Sequence, residues 1–305
     1  MSLNHFLADD LLSKQQLLAL IAQGLEIKAN PAKYSNALAG KSVVTIFEKP
    51  SLRTHISFDI GINKLGGHSL YIGQQNGQLG ERERVKDVAK NLACWADIVV
   101  ARVFKQSVLD EMAEHGGIPV INALSDLYHP CQALADYMAL TETFGSLEGL
   151  NLAYIGDGNN VSNSLMLMGS VLGVNVTVIT PEGHEPTADM ISKAQQLAAQ
   201  SGSTLTISTD IKDAENQQVI YTDTWISMGD DTKVADILAK FMPYQINDEL
   251  MDKAGASAVM HCQPAHLEQE ITTSVFDSDK SLAFLQAENR MWAQNSVLLT
   301  LVNGK

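Results

Sequence analysis

The sequence predicts an α/β fold of two domains, each a parallel sheet with helices on both faces, and three observations predict it. Apolar runs of strand length recur along the chain, amphipathic segments of helix length separate most of them, and 305 residues are more than one ordinary core comfortably organises. The strand-like runs lie at 42–47, 98–104, 118–122, 151–155, 174–179, 204–208, 219–222 and 257–261. Helical periodicity covers 11–29, 51–65, 84–94, 130–144, 160–172, 186–200 and 285–302. Turn residues in Glu142-Thr-Phe-Gly-Ser-Leu-Glu-Gly-Leu150 end one helix before the next strand, which places the boundary between domains 1–146 and 147–284.

Composition narrows the class. Hydrophobic residues at 45% and charged residues at 18% suit a globular protein with two interiors. A formal net charge of −14 repels nucleic acid, so an anionic ligand needs a local cluster of arginines. Cys94, Cys131 and Cys262 are odd in number and lack paired short spacing, which suits a reducing compartment and makes the cytoplasm the expected location. The first residues have no basic lead and no sustained apolar core, and no later run reaches membrane-spanning length, so neither secretion nor a membrane partner is expected.

The first chemically rich segment is Phe47-Glu-Lys-Pro-Ser-Leu-Arg-Thr-His-Ile-Ser-Phe-Asp59. Val43, Val44, Ile46 and Phe47 form the strand, Pro50 limits the turn, and Ser51, Leu52, Arg53 and Thr54 open a helix. The first N–H groups of a helix lack intrahelical partners and carry partial positive charge; Arg53 adds a full charge in a planar fork, a combination that holds phosphate. Taken alone the segment reads equally as a capped helix with a surface arginine. Arg102 closes the apolar run from Ile98, where its guanidinium needs a partner, either a structural carboxylate or an anionic ligand. His129 and Gln132 flank a proline helix start, where an imidazole and a carboxamide suit a carbonyl oxygen and an amide nitrogen; a helix cap with a satisfied histidine is the simpler reading of that tetrapeptide.

In the second half, Gly156-Asp-Gly158 after a strand only partly matches a dinucleotide-binding loop. Val161 takes the third glycine position, and Glu182 is a poor match to the ribose-binding acid. Asn159 and Asn160 fit better as ligands for an amino-acid carboxylate or as caps of the next helix. Thr222-Asp-Thr-Trp-Ile-Ser-Met-Gly229 sets the Asp223 carboxylate, the Ser227 hydroxyl and backbone donors in one loop, a set suited to an ammonium group. Cys262 beside His261 suggests a nucleophile or a metal ligand, yet no second Cys or His stands at metal-site spacing, so no metal is expected. Met166, Met168 and Met260 read as core filling.

Together, Ser51-Leu-Arg-Thr54, Arg102, His129-Pro-Cys-Gln132, Asp157-Gly-Asn-Asn160, Asp223-Thr-Trp-Ile-Ser-Met-Gly229, His261-Cys262 with Pro264-Ala265, and Glu288-Asn-Arg290 resemble the aspartate/ornithine transcarbamoylase family nearly end to end. Asp-Gly-Asn-Asn and Trp-Ile-Ser-Met-Gly place the resemblance in the ornithine branch. It implies transfer of the carbamoyl group of carbamoyl phosphate to the δ-amine of L-ornithine, giving L-citrulline and phosphate without a cofactor. The implied partners are these two substrates and two further copies of the chain, a homotrimer with active sites at its interfaces. The implied layout has an N-terminal carbamoyl phosphate domain, a C-terminal ornithine domain, and a last helix, 285–305, packing back on the first domain.

The implied roles follow the motifs. Ser51, Leu52, Arg53, Thr54 and Arg102 hold the phosphate; Thr54, Arg102 and His129 polarise the carbonyl. Gln132 and the backbone around Cys262 and Gln263 orient the carbamoyl amide, with Arg290 nearby. Asn160, Asp223, Ser227 and Met228 hold the α-carboxylate and α-ammonium of ornithine, and Asp223 and Cys262 lie near the attacking amine.

Four positions depart from the family pattern: His55 stands for arginine, Arg84 for serine, Gln263 for leucine, and Leu267-Glu268 for Arg-Gly. His55 removes a fixed charge near the phosphate, and Arg84 is the candidate to restore it from a neighbouring subunit. The alternatives are a transcarbamoylase with a different amine acceptor, a low-activity regulatory paralogue and, more distantly, a nicotinamide oxidoreductase.

Overall fold

Continuous apolar runs become parallel strands buried on both faces, as such strands require. The computed structural model describes residues 3–226 and 234–303, and the chain divides into two units, Met1–Met138 with Glu288–Lys305, and Ala139–Ala287.

The first unit opens with α1 (Lys14–Ala29), started by a capping box in which Ser13 and Gln16 satisfy each other's backbone N–H groups. Its sheet comprises β1 (Ser42–Phe47), β2 (His68–Ile72), β3 (Ile98–Arg102) and β4 (Val120–Leu124), all parallel, in the order β2-β1-β3-β4. The intervening helices are α2 (Leu52–Lys64), α3 (Val85–Ala93) and α4 (Gln106–Gly116), and α5 (Pro130–Phe144) follows the last strand. Every residue of β3 and β4 is buried. The β2 strand was not expected from the sequence. It is an edge strand with most of its side chains exposed, so it lacks the continuous apolar signature of its neighbours.

The second unit holds β5 (Asn151–Ile155), β6 (Asn175–Ile179), β7 (Leu205–Ser208), β8 (Val219–Thr222) and β9 (Ala258–His261), parallel throughout in the order β7-β6-β5-β8-β9. Around it lie α6 (Asn160–Leu172), α7 (Ala188–Ser201), α8 (Val234–Phe241), α9 (Asp248–Ala254) and α10 (Thr273–Phe276), and α11 (Ala283–Asn303) closes the described chain. The helices α4, α8, α9 and α10 add to those that periodicity had indicated. Met166, Met168 and Met260 are buried, as core filling requires. Among the described residues, no helix is long and apolar enough to cross a membrane.

In both sheets the strand order reverses beside the first strand. The reversal falls between β1 and β3 in one sheet and between β5 and β8 in the other. Ligands of open parallel sheets bind outside the carboxyl ends of strands at this switch point. The Ser51 loop follows β1, and Arg102 ends β3 in register with Phe47. The Asp157 loop follows β5, and Asp223 follows β8.

Candidate active site

In the first unit, the Ser51 hydroxyl caps α2, accepting the N–H of Thr54 at 3.3 Å and donating to Thr54 Oγ1 at 2.8 Å. Leu52 and Arg53 therefore occupy the first helical turn, where N–H groups point out of the helix. The Leu52 side chain is 71% exposed, so its contribution to an anion site is its backbone N–H. Thr54 is fully buried, and its hydroxyl also accepts Arg290 Nη2, from α11, at 2.6 Å. The same Arg290 nitrogen meets His129 Nε2 at 3.0 Å. His129 caps the start of α5, its carbonyl accepting the N–H of Gln132 at 3.0 Å. One arginine thus joins the helix starts of two separate motifs.

The electrostatics of this cluster follow from burial. The His129 imidazole is held well below its ordinary pKa, first by burial and then by the positive charges of Arg290 and Arg102. Arg102 is buried at the end of β3. The strand end that carries it is fixed by Glu48, whose buried carboxylate accepts the N–H of Phe104 at 2.8 Å and that of Leu79 at 2.7 Å. Gln132 is buried, and its Nε2 donates to Asp136 Oδ1 at 2.7 Å. Sequence reasoning passed over both acids. Their signals were a carboxylate directly after an apolar strand and a carboxylate one helical turn from Gln132 inside an apolar helix.

In the second unit, the ends of β5, β8 and β9 bring Asn159, Asp223 and Cys262 together. Asp223 Oδ1 accepts the Cys262 thiol at 2.9 Å and the Thr224 N–H at 2.8 Å, and Oδ2 accepts Asn159 Nδ2 at 3.2 Å. Asn159 also caps α6 through its Oδ1, which accepts Val161 N–H at 2.9 Å. This leaves Asn160 half-buried as the first residue of the helix. Asn159 is thus the asparagine that orders Asp223. Ser227 and Met228 lie outside the described residues.

His261 is a support for its neighbours. Its Nδ1 accepts the Gln263 N–H at 2.9 Å, so its proton is on Nε2, which meets Glu270 Oε1 at 3.1 Å. Gln263 sits in the left-handed region at φ 61° before a cis bond to Pro264, and the imidazole holds that turn. Ligand atoms of Asp223, His261 and Cys262 lie within 4.8 Å of one another. Both imidazole nitrogens are already engaged, and the thiol and carboxylate bond each other, so the set offers a cation no imidazole ligand.

The departing positions each have a local account. The His55 ring stacks on Tyr71 of β2 with centroids 3.9 Å apart. Arg84 makes a two-pronged pair with Asp87, at 2.7 and 3.1 Å, on the exposed start of α3. Glu268 accepts the N–H and hydroxyl of Thr273 at 2.9 and 2.7 Å, which holds its carboxyl below the ordinary value. Leu267 is 41% exposed.

Comparison with known proteins adds an independent line. Residues 4–142 match the carbamoyl-P binding domain of aspartate/ornithine carbamoyltransferase, and residues 148–301 match the Asp/Orn binding domain. The chain is 56% identical over 299 residues to an ornithine carbamoyltransferase of Shewanella oneidensis, covering 98% of this chain and 99% of that one. It is 55% identical over 291 residues to that of Moritella abyssi, covering 95% and 97% of the two chains. The solved ornithine carbamoyltransferase of Pyrococcus furiosus superposes with a TM-score of 0.95 at 39% identity, covering 100% and 99% of the two chains.

Proposed function

The chain belongs to the aspartate/ornithine carbamoyltransferase family, and from that premise we propose how its two residue clusters divide the reaction. The enzyme transfers the carbamoyl group of carbamoyl phosphate to the δ-amine of L-ornithine, giving L-citrulline and phosphate. The observation that carries the division is the Arg290 link. By bonding both Thr54 and His129 it gathers the α2 start, the α5 start and α11 into one cationic, water-poor cluster.

Ser51, Arg53, Thr54, Arg102 and the first N–H groups of α2, including that of Leu52, hold the phosphate. Thr54, Arg102 and His129 face the carbonyl oxygen, where negative charge grows as the tetrahedral intermediate forms; fixed donors stabilise that charge more than the ground state. Gln132 and the backbone of Cys262 and Gln263 orient the carbamoyl amide, and Arg290 keeps Thr54 and His129 in place. Asn160, Asp223, Ser227 and Met228 take the α-carboxylate and α-ammonium of ornithine, with Asn159 ordering Asp223.

The ornithine δ-amine, with a lysine-like pKa near ~10, attacks only after losing its proton. The new C–N bond forms, the bond between the carbonyl carbon and the bridging phosphate oxygen breaks, and the leaving phosphate takes the remaining amine proton. Asp223 and Cys262 flank this amine.

The proposal extends to a homotrimer. Leu52, Ile56 and Ile60 recur every four residues on α2 and are 71%, 44% and 44% exposed, an apolar stripe suited to a second copy of the chain. Light scattering should return about three times 33.1 kDa. The thiols of Cys94, Cys131 and Cys262, none of them in a disulfide, support a cytoplasmic location.

The test of the reaction is colorimetric ureido-product formation from carbamoyl phosphate with ornithine, acetylornithine, putrescine, lysine and aspartate in parallel. Product with ornithine alone is expected. A folded protein that yields none with any amine overturns the reading.

A further inference from the structure

We propose that Asp136 is a positioning residue that sets donor specificity by fixing which end of the Gln132 carboxamide meets the substrate. This rests on the reading of Gln132 as a ligand of the carbamoyl amide. Gln132 and Asp136 are one turn apart on α5 and share a face. Gln132 is 2% exposed and Asp136 is fully buried. A carboxamide is nearly symmetric in shape and can exchange its oxygen and nitrogen by rotating half a turn. Asp136 Oδ1 accepts from Gln132 Nε2 at 2.7 Å, and that bond holds the carboxamide in one of its two settings.

With Nε2 committed, Oε1 is the end of the carboxamide left for a ligand, and this buried oxygen meets no donor among the described residues. A buried carbonyl oxygen without a donor is costly, and a ligand N–H that reaches it recovers the loss.

The consequence is discrimination by hydrogen-bond polarity. The –NH2 of a carbamoyl group donates to Gln132 Oε1, whereas the methyl of an acetyl group of similar shape cannot. A site built around one buried acceptor rejects the analogue that leaves it unpaired more strongly than shape alone does. His129, one turn before Gln132, belongs to the cluster that faces the carbonyl, so the acceptor and the carbonyl donors enter from one helix start.

Two stable phosphonates test this without turnover: phosphonoacetamide, which carries the –NH2, and acetonylphosphonate, which carries a methyl in its place. Calorimetry on the full-length protein gives the ratio of their dissociation constants, and the ornithine KM is measured alongside. Wild type should favour the amide by about tenfold or more, and Asp136→Asn, which frees the carboxamide to turn, should bring the ratio within about threefold of unity while ornithine KM changes less than twofold. A folded Asp136→Asn that keeps the wild-type ratio overturns the proposal, while wild-type citrulline formation leaves the reaction standing. Absence of both phosphonate binding and product would instead overturn the donor reading. Should Asp136→Asn fail to fold, Gln132→Leu decides. Loss of discrimination there supports the proposal, and retained discrimination overturns it, since the amide would then be read elsewhere.

Discussion

Arg290 Nη2 donates to His129 Nε2 at 3.0 Å, and that single contact fixes the tautomer of the histidine. A guanidinium has donors only, so Nε2 accepts and the imidazole proton is on Nδ1. Burial, reinforced by the charges of Arg290 and Arg102, keeps the ring neutral. His129 therefore serves as a neutral hydrogen-bond donor, and a role as a proton-releasing acid at neutral pH does not fit its surroundings.

A stability change with pH follows. The folded pKa of His129 is depressed below its unfolded value near ~6.5, so the unfolded chain binds the proton first as pH falls. The stability tied to the neutral ring is present above that unfolded value and is lost as pH falls from it toward the folded pKa. The drop in Tm between pH 7.5 and 5.5 should accordingly be smaller in His129→Asn than in wild type. Equal drops would show that His129 does not titrate as its surroundings dictate.

The three thiols should separate by reactivity. Burial pushes the Cys131 thiol up to about 12, whereas Cys94 is exposed and Cys262 is half-buried against Asp223. Because the thiolate is the nucleophile, iodoacetamide at pH 8 should label Cys94 first and leave Cys131 unmodified until the protein unfolds. Saturating ornithine should slow labelling of Cys262 alone. Peptide mass spectrometry of a time course reads all three.

Much of this was legible in the sequence because the relevant elements follow strong local rules. Val43 to Phe47 is continuously apolar and is followed by a serine cap, so strand, turn and helix start could all be placed. Where local rules weaken, so did the reading. The edge strand β2 is half polar, and α4 buries a mixed set in Gln106, Leu109, Met112 and Gly116. Glu48 was missed for another reason. A buried carboxylate is defined by the groups it faces, and Phe104 N–H and Leu79 N–H lie 56 and 31 residues away from Glu48 in sequence. His261 drew attention as a reactive group beside Cys262, and only its two ring contacts show it to be structural.

Gly158 should tolerate no side chain. A Cβ there would fall on backbone atoms of His184, Glu185 and Pro186, which cannot swing aside as a side chain would. The neighbouring Asp157–His184 contact at 2.9 Å ties the two loops together, so any shift reaches Asn159 and Asn160. Gly158→Ala should destabilise by about 1–3 kcal/mol in urea unfolding and raise ornithine KM by about tenfold, with carbamoyl phosphate KM nearly unchanged. Wild-type values for both stability and ornithine KM would show that the loops yield.

The His55 stack on Tyr71 identifies the substitution that should most readily improve donor binding. His55 lies one residue past Thr54 on α2, its ring 3.9 Å from the Tyr71 ring and tilted by 20°, with Phe47 at 5.9 Å. An arginine guanidinium is planar as well and stacks on aromatic faces, so His55→Arg can keep the packing while adding a permanent positive charge near the α2 start. That charge lies within a Debye length of a phosphate held at Ser51 to Thr54 and is partly screened, which limits the gain to about 1 kcal/mol, or roughly fivefold. Carbamoyl phosphate KM should fall by that factor in His55→Arg, ornithine KM should hold, and the gain should shrink as salt is raised from 0.05 to 0.5 M. His55→Ala, which removes the stack without adding charge, should lower Tm and leave the salt dependence of wild type intact. If His55→Arg binds carbamoyl phosphate no better at low salt, the ring at this position already meets the electrostatic need of the site, and its difference from arginine is one of packing alone.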